Sequence, residues 1–268
     1  MKLNGCNVLI TGASAGIGRE FARQLAGRAL SLILVARRQD KLAELHDDLQ
    51  KQHPNLAVQI RQVDLADPAQ LQKLTEWFDL ENIHVDLLIN NAGLGDSGPF
   101  AISDPIRNHQ MTLVNVVALT SLTRHVLPQM IAKRRGGILN VSSSAGFLPV
   151  PGSAVYAATK AYVTSFSEAL RAELHGTGIS VCALCPGPVR TEFQQVARRL
   201  DGRTEIGPEF VLVPVEQVVR DALNGLEADK PIVIPGFAMK LAILLARLTP
   251  MPLLRLLLQR YSRRDSAV

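Results

Sequence analysis

Short runs dominated by Val, Ile and Leu recur along the chain, separated by longer stretches in which apolar residues return every three or four positions. The runs are 7–11 (NVLIT), 31–36 (SLILVA), 57–63 (AVQIRQV), 85–90 (VDLLIN), 137–142 (GILNVS), 179–184 (ISVCAL) and 231–235 (PIVIP). Continuous apolarity without in/out alternation predicts strands covered on both faces. The intervening stretches, 16–28, 38–52, 68–80, 104–130, 154–175 and 215–228, predict helices, and Pro68 after Asp67 and Pro105 after Asp104 mark two starts with an acidic N-cap. Strand and helix alternate throughout, so the economical architecture is α/β, a doubly wound parallel sheet. No repeat, low-complexity segment or linker interrupts it. The least regular part, 186–214, follows a strand's carboxyl end and reads as a candidate lid carrying a helix over 191–200.

Composition narrows the class. Hydrophobic residues make up 47% and charged ones 20%, the balance of a compact globular chain. The net charge of +5 is local: residues 231–268 hold six basic side chains against Asp265, whereas residues 1–230 are balanced at 23 against 23. A nucleic-acid binder spreads its cations over a face or groove of the folded body, which this distribution does not do. Three cysteines are too few for a disulfide framework, and Cys182 and Cys185 read as small buried hydrophobes on opposite faces of a strand. No Cys/His set stands at metal-site spacing, so no metal is expected. The N-terminus turns straight into a strand without the pattern of a secretion signal, which predicts a cytoplasmic, reducing location.

The first strand ends in TGASAGIG, with Gly12, Gly16 and Gly18 leading into a helix. Glycines there permit backbone angles closed to other residues and let a pyrophosphate approach the amides at the helix N-terminus, the arrangement of a Rossmann-type dinucleotide site. At the end of the second strand an acid would bind the ribose hydroxyls of NAD; this chain has Ala36 followed by Arg37 and Arg38. Guanidinium groups suit the extra phosphate of NADP, with Arg37 the first choice and Arg38 the second; the other reading makes both solvated residues opening a helix. Asp64 ends the third strand, where it either accepts from an adenine amino group or forms a turn, and Asn91, Ala92 and Gly93 of NNAG end the fourth, where the chain passes under a cofactor or simply turns.

Tyr156 and Lys160 stand at i and i+4, on one face of a predicted helix. A free phenol, with a pKa of about 10, is a poor base at neutral pH. A nearby ammonium and an oxidised nicotinamide would both lower that pKa and make Tyr156 a proton donor and acceptor. Ser143, at a strand end upstream, can direct its hydroxyl at the same carbonyl oxygen. In isolation Tyr-x-x-x-Lys is a common helical pair; its place after the glycine turn, NNAG and the serine strand gives it weight.

Taken together, TGASAGIG, NNAG, NVSSSAG, YAATK and CPGPVRT resemble, in order and spacing, the short-chain dehydrogenase/reductase family in its NADP-preferring branch, over about residues 5–235. The resemblance implies that Ser143 polarises the substrate oxygen, Tyr156 transfers the proton, and Lys160 both lowers the tyrosine pKa and holds the nicotinamide ribose. It implies a water-holding role in the proton relay for Asn115, otherwise a buried helix-bending residue, and a nicotinamide contact for Thr191, otherwise a helix N-cap. Ser14, Ile17, Leu65, Pro186, Gly187 and Val189 are carried over as further cofactor contacts. Ala15 departs from relatives with a basic residue in the turn, which leaves the phosphate to Arg37 and Arg38.

Residues 1–235 thus form a dinucleotide-binding catalytic domain, and 236–268 a C-terminal helical extension of it. In that extension FAMKLAILLARL and PLLRLLLQRYSRR are apolar with cations to one side. Their leucines are expected to cover the substrate pocket or a partner subunit, with peripheral membrane contact as the other use. The pocket candidates Ser143, Leu94, Phe147, Leu148 and Gly187 are mostly apolar and suit a hydrophobic ketone such as a 3-oxoacyl chain or a steroid. Family members commonly pair through 104–130 and 154–175, which implies a homodimer or homotetramer. The expected activity is NADP(H)-dependent carbonyl reduction or alcohol oxidation. A non-catalytic NADP-sensing scaffold is the alternative from another class, but its usual sign, loss of the tyrosine or lysine, is absent here. Sugar-nucleotide epimerases share Tyr-x-x-x-Lys but have a different glycine spacing and a larger substrate domain.

Overall fold

The computed structural model describes residues 1–197, 211–256 and 258. Among them seven parallel strands form one sheet: β1 (Asn7–Thr11), β2 (Ser31–Ala36), β3 (Ala57–Gln62), β4 (Leu87–Asn90), β5 (Gly136–Val141), β6 (Ile179–Leu184) and β7 (Ile232–Val233), in the order β3-β2-β1-β4-β5-β6-β7. The interior strands are buried almost throughout, as their unbroken apolar runs require, and only the edge strand β3 is exposed along its length. Strand order reverses between β1 and β4, whose registers match Val8 with Leu87 and Ile10 with Ile89. Ligands of such sheets bind in the crevice at that reversal, beyond the carboxyl ends of the strands.

Helices cover both faces. On one, α1 (Gly16–Leu25), α2 (Gln39–Gln52) and α8 (Val215–Glu227) bury Phe21, Leu25, Leu42, Val219 and Leu226 against β1, β2, β5 and β6. On the other, α3 (Pro68–Leu80), α4 (Pro105–Thr112), α5 (Leu119–Lys133) and α6 (Ala154–Glu173) bury Leu74, Phe78, Met111, Leu122 and Leu170. The side chain of Asp67 accepts from the amides of Ala69 and Gln70, and that of Asp104 from the amide of Ile106, so both acidic caps are present as expected.

The single helix expected over 104–130 is instead two helices joined by a π-helical stretch, Leu113–Ala118. That stretch inserts an extra residue into the turn and coincides with Asn115, whose buried amide is bonded to the loop after β4 rather than left to solvent. Of the candidate lid, α7 (Glu192–Ala197) is described, and the rest of the helix expected to residue 200 lies outside the described residues.

The C-terminal helix α9 (Phe237–Leu248) corrects an expectation. Ile243 is buried, Met239 faces Gly187 and Arg247 lies over the Phe147 ring, but Leu241, Leu244, Leu245 and Leu248 point away from the body and are exposed. The leucines of α9 do not cover the substrate pocket, because Met239, Ile243 and Arg247 occupy the face turned to the body and only Met239 reaches a cleft residue, Gly187. No helix among the described residues is long and apolar enough to cross a membrane.

Candidate active site

A cleft of about 600 Å³ opens at the carboxyl ends of the strands, along the reversal of strand order. Its floor is the turn after β1. Gly12 and Gly16 have φ of 66° and 53°, conformations that favour glycine, and a Cβ at Gly12 would come within 2.8 Å of Ala92 Cα. Two loops are stapled together here: Thr11 Oγ1 accepts from the amides of Asn91 and Ala92 at 3.1 and 3.0 Å, and Asn91 Nδ2 donates to the carbonyls of Thr11 and Gly12 at 2.9 and 3.1 Å. Helix α1 begins beside them with Ala15 as its N-cap, no side-chain cap and no acid in its first turn. Its first amides carry no side-chain cap and face no acid in their own turn, which leaves them available to an anion. The residues fit a dinucleotide pyrophosphate.

Ser14, Ile17, Asp64, Leu65, Gly93 and Leu94 line the same cleft, as do Pro186, Gly187, Val189 and Thr191. Arg37 and Arg38 line it at the end of β2. No acid stands at the end of β2, but one reaches it from elsewhere: Glu192 Oε2 accepts from Arg38 Nη1 at 2.8 Å. Asp64 performs its turn role, accepting from the amide of Ala66 at 2.9 Å. Thr191 lies against Gly16, where an added Cβ would come within 3.2 Å of its side chain.

Toward the other end, β5 and α6 bring three expected residues together. Ser143, buried just beyond β5, accepts from the amide of Ala145 at 3.2 Å and hydrogen-bonds to Tyr156. Helix α6 approaches the 3-10 turn Ser144–Phe147 so closely that a Cβ at Gly146 would meet the Lys160 carbonyl at 2.7 Å. Ser142 Oγ donates to that carbonyl at 2.8 Å, which fixes the helix against the strand. Tyr156 and Lys160 both line the cleft, with the Lys160 ammonium 5.8 Å from the centre of the Tyr156 ring. Lys160 is buried and donates to the Val141 carbonyl at 2.8 Å.

Electrostatics depart from the expectation of an acidic tyrosine. Burial lowers Lys160 from 10.5 to about 8. Tyr156 is partly exposed at the cleft wall, yet desolvation raises its pKa, opposed only by the Ser143 hydrogen bond. Among the chain's own groups, burial outweighs any lowering by Lys160, so Tyr156 is held as a protonated phenol. Cys182 and Cys185 are raised to about 12 by burial and remain inert thiols.

Asn115 lies behind the cleft. Its Oδ1 accepts from the amide of Leu94 at 2.8 Å, and its Nδ2 donates to the Leu94 carbonyl and Thr159 Oγ1 at 2.9 and 3.0 Å. Three expected contacts are not in the cleft wall. Gly18 packs against the Gly12 carbonyl and the Asn91 amide, so its lack of a side chain serves the turn and not the ligand. Phe147 turns toward Arg247 of α9, 5.9 Å away, and Leu148 follows it out of the wall. The sequence reading missed Ser97, Val114, Glu192 and Phe193, all of which line the cleft, and Ala15, named only as a departure from relatives, lines it too. Phe193 packs on the Tyr156 ring at 5.8 Å and meets Gly95, roofing the catalytic end. Position next to Thr191 was the available signal for Glu192 and Phe193.

Residues 6–201 match the family model described as short chain dehydrogenase. The chain belongs to the short-chain dehydrogenase family. Membership makes it an oxidoreductase. It is 38% identical over 201 residues to an NADP-dependent 3-hydroxy acid dehydrogenase of Escherichia coli O157:H7, covering 74% of this chain and 79% of that protein. Among solved structures, a short-chain dehydrogenase from Sphingobium yanoikuyae in complex with NADPH superposes with a TM-score of 0.77 at 31% identity, covering 98% of this chain and 96% of the other. A bulky-bulky ketone specific alcohol dehydrogenase from Comamonas testosteroni superposes at 0.74 with 28% identity, covering 99% and 95%.

Proposed function

We propose that this short-chain dehydrogenase is an NADP-dependent carbonyl reductase for hydrophobic ketones. The observation that carries the reading is the convergence of Ser143, Tyr156 and Lys160 on one wall of a cleft whose far end presents Arg37 and Arg38. NADPH, when bound, supplies the hydride. The open amides at the start of α1 and the Ser14 hydroxyl would take the phosphates, and Arg37 and Arg38 the additional phosphate on the ribose. NADP dependence in the E. coli relative and bound NADPH in the Sphingobium structure support that assignment.

At the catalytic end, Ser143 and Tyr156 donate hydrogen bonds to the carbonyl oxygen, and Tyr156 passes its proton to that oxygen as negative charge builds there. A phenol kept protonated by burial suits this direction, because reduction consumes a proton. Lys160 remains charged below about pH 8 and stabilises the phenolate left behind. Asn115 holds the Leu94 backbone, and with it the loop that forms the cleft wall beside Lys160.

Around Tyr156 the described walls are Leu94, Phe193 and Ala145, while the arginines of the cleft lie at the β2 end. Apart from Lys160, which belongs to the catalytic set, the basic residues lining the described cleft are Arg37 and Arg38. A carboxylate-bearing substrate would want a further cation beside the phenol, and a bulky apolar ketone would not. The ketone specificity of the Comamonas structure supports this choice over a small hydroxy acid. Pairing through α4, α5 and α6, where Val117, Ile131 and Tyr162 are exposed, would give a homodimer or homotetramer.

The test is NADPH oxidation by wild type and Tyr156→Phe across acyl, steroid, hydroxy-acid-derived and small ketones. Turnover of bulky ketones, lost by roughly 10²- to 10⁴-fold in the variant with NADPH binding retained, is the expected result. Unchanged turnover in Tyr156→Phe refutes the mechanism; preference for small oxo acids refutes the substrate class.

A further inference from the structure

Helix α9 carries an apolar stripe that the protein body leaves uncovered. Leu244, Leu245 and Leu248 are 53%, 57% and 71% exposed, with Phe237 and Leu241 beside them, whereas Ile243 on the opposite side is buried. The stripe continues past Pro250 in Met251, Leu253 and Leu256, also exposed. Soluble surfaces seldom leave so many large apolar residues contiguous unless something covers them.

Charge says what that something is. From Pro231 to Arg264 the sequence contains no Asp or Glu, while Lys240 and Arg255 are exposed along the described part and Arg247, over the Phe147 ring, is exposed at its flank. A second copy meeting this face about a two-fold axis would set cations against cations with no acid in the patch to pair them. An anionic lipid surface supplies both requirements, acyl chains for the leucines and negative headgroups for the cations. Residues 1–230 carry 23 basic and 23 acidic side chains, so the rest of the chain adds no net repulsion from such a surface.

We infer that α9 and the segment 251–256 form a membrane-docking face for anionic phospholipid bilayers, on which the enzyme sits peripherally. The face adjoins the cleft: Met239 packs on Gly187, where an added Cβ would come within 2.6 Å of Met239 Cε, and Arg247 lies over Phe147 of the turn after β5. Docking through α9 therefore holds the substrate side of the cleft close to the lipid phase. The inference stands on surface composition and does not depend on the ketone reading.

The experiment is flotation of the full-length protein with vesicles of phosphatidylcholine alone and of phosphatidylcholine with 30% phosphatidylglycerol, at low salt and in 0.5 M NaCl. Binding to the anionic vesicles, weakened by salt and absent from the neutral ones, is expected. Lys240→Glu with Arg255→Glu should lower the partition coefficient on the order of thirtyfold or more, since each cation near an anionic surface contributes about a factor of five. Leu244→Asp with Leu248→Asp should abolish binding while NADPH affinity in solution stays at the wild-type value, which shows that the variant is folded. Failure to float on anionic vesicles, or equal flotation on neutral ones, overturns the proposal. So does a dimer in light scattering that the leucine variant converts to monomer, because the face then belongs to a second copy.

Discussion

Arg38 at the end of β2 and Glu192 at the start of α7 are joined by a 2.8 Å ion pair that spans the mouth of the cofactor cleft. Arg38 Nη2 also lies 3.4 Å from Ser14 Oγ, so one guanidinium links the glycine turn to the segment that roofs the site. Glu192 thereby occupies donors that a ribose phosphate would need. Both side chains are about half exposed, so the pair is worth under about 1 kcal/mol. Glu192→Gln should therefore tighten NADPH binding by roughly two- to fivefold and leave NADH almost unchanged, as read by fluorescence titration. In 0.5 M NaCl the gain should shrink. Weaker NADPH binding in this variant would mean that Glu192 holds the roof shut over the ligand instead of competing with it.

Discrimination between the two dinucleotides should rest on Arg37 and Arg38. Hydrogen bonds to a charged group contribute about 1.5–3 kcal/mol each, so Arg37→Ala or Arg38→Ala should raise the NADPH Kd on the order of ten- to a hundredfold. The NADH Kd should move little. An equal loss for both cofactors would assign the arginines to the structure of the β2 turn and not to phosphate recognition.

Element identity was readable because a doubly wound sheet buries its strands on both faces, which leaves unbroken runs such as SLILVA and ISVCAL. The i, i+4 spacing of Tyr156 and Lys160 likewise determined that they share a face of α6 before any fold was known. What periodicity does not carry is which neighbouring element approaches a residue. Phe147 was expected in the pocket by proximity to Ser143, but the turn after β5 directs it at α9. Gly18 looked like part of a phosphate cradle, and the space it keeps clear belongs to the Gly12 carbonyl. Asn115 was legible as a buried helix-bending residue in the stretch 104–130, but the π-helical turn around it was not, because the bond that engages its side chain comes from Leu94, distant in sequence. The Tyr156 pKa shows the same limit: the neighbouring Lys160 was legible, and the desolvation that raises the value among the chain's own groups depends on the assembled surroundings.

Lys160 should give a pH signature in both function and stability. Its pKa is lowered by burial to about 8, whereas an unfolded chain titrates near 10.5. Below about pH 8 the folded protein carries the full penalty of a buried charge, up to about 3 kcal/mol. Between pH 8 and 10.5 the unfolded chain binds more protons than the folded one, so this contribution to stability rises with pH. Lys160→Met should consequently melt higher than wild type near pH 6, with the difference shrinking toward pH 10, while carbonyl reduction is nearly lost. In wild type, kcat/KM should fall above about pH 8 as the ammonium loses its proton. A pH-independent melting difference would place the Lys160 pKa well away from 8.

The close packing of the glycine turn should make Gly18 intolerant of a single methyl group. A Cβ there would strike the Gly12 carbonyl oxygen and the Asn91 Nδ2, two members of the staple between the loops after β1 and β4. Neither can retreat cheaply: Gly12 is already at a φ of 66° against Ala92, and Asn91 Nδ2 donates to the carbonyls of both Thr11 and Gly12. Gly18→Ala should cost about 1–3 kcal/mol, seen as a lower Tm, and should also weaken NADPH binding measured far below that Tm, because the displaced turn carries the phosphate-facing amides. Asn91→Ala removes the staple without the clash and should weaken NADPH binding in the same direction. A Gly18→Ala protein of reduced Tm with wild-type NADPH affinity would show that the turn absorbs the methyl group without moving those amides, and that the staple serves folding alone.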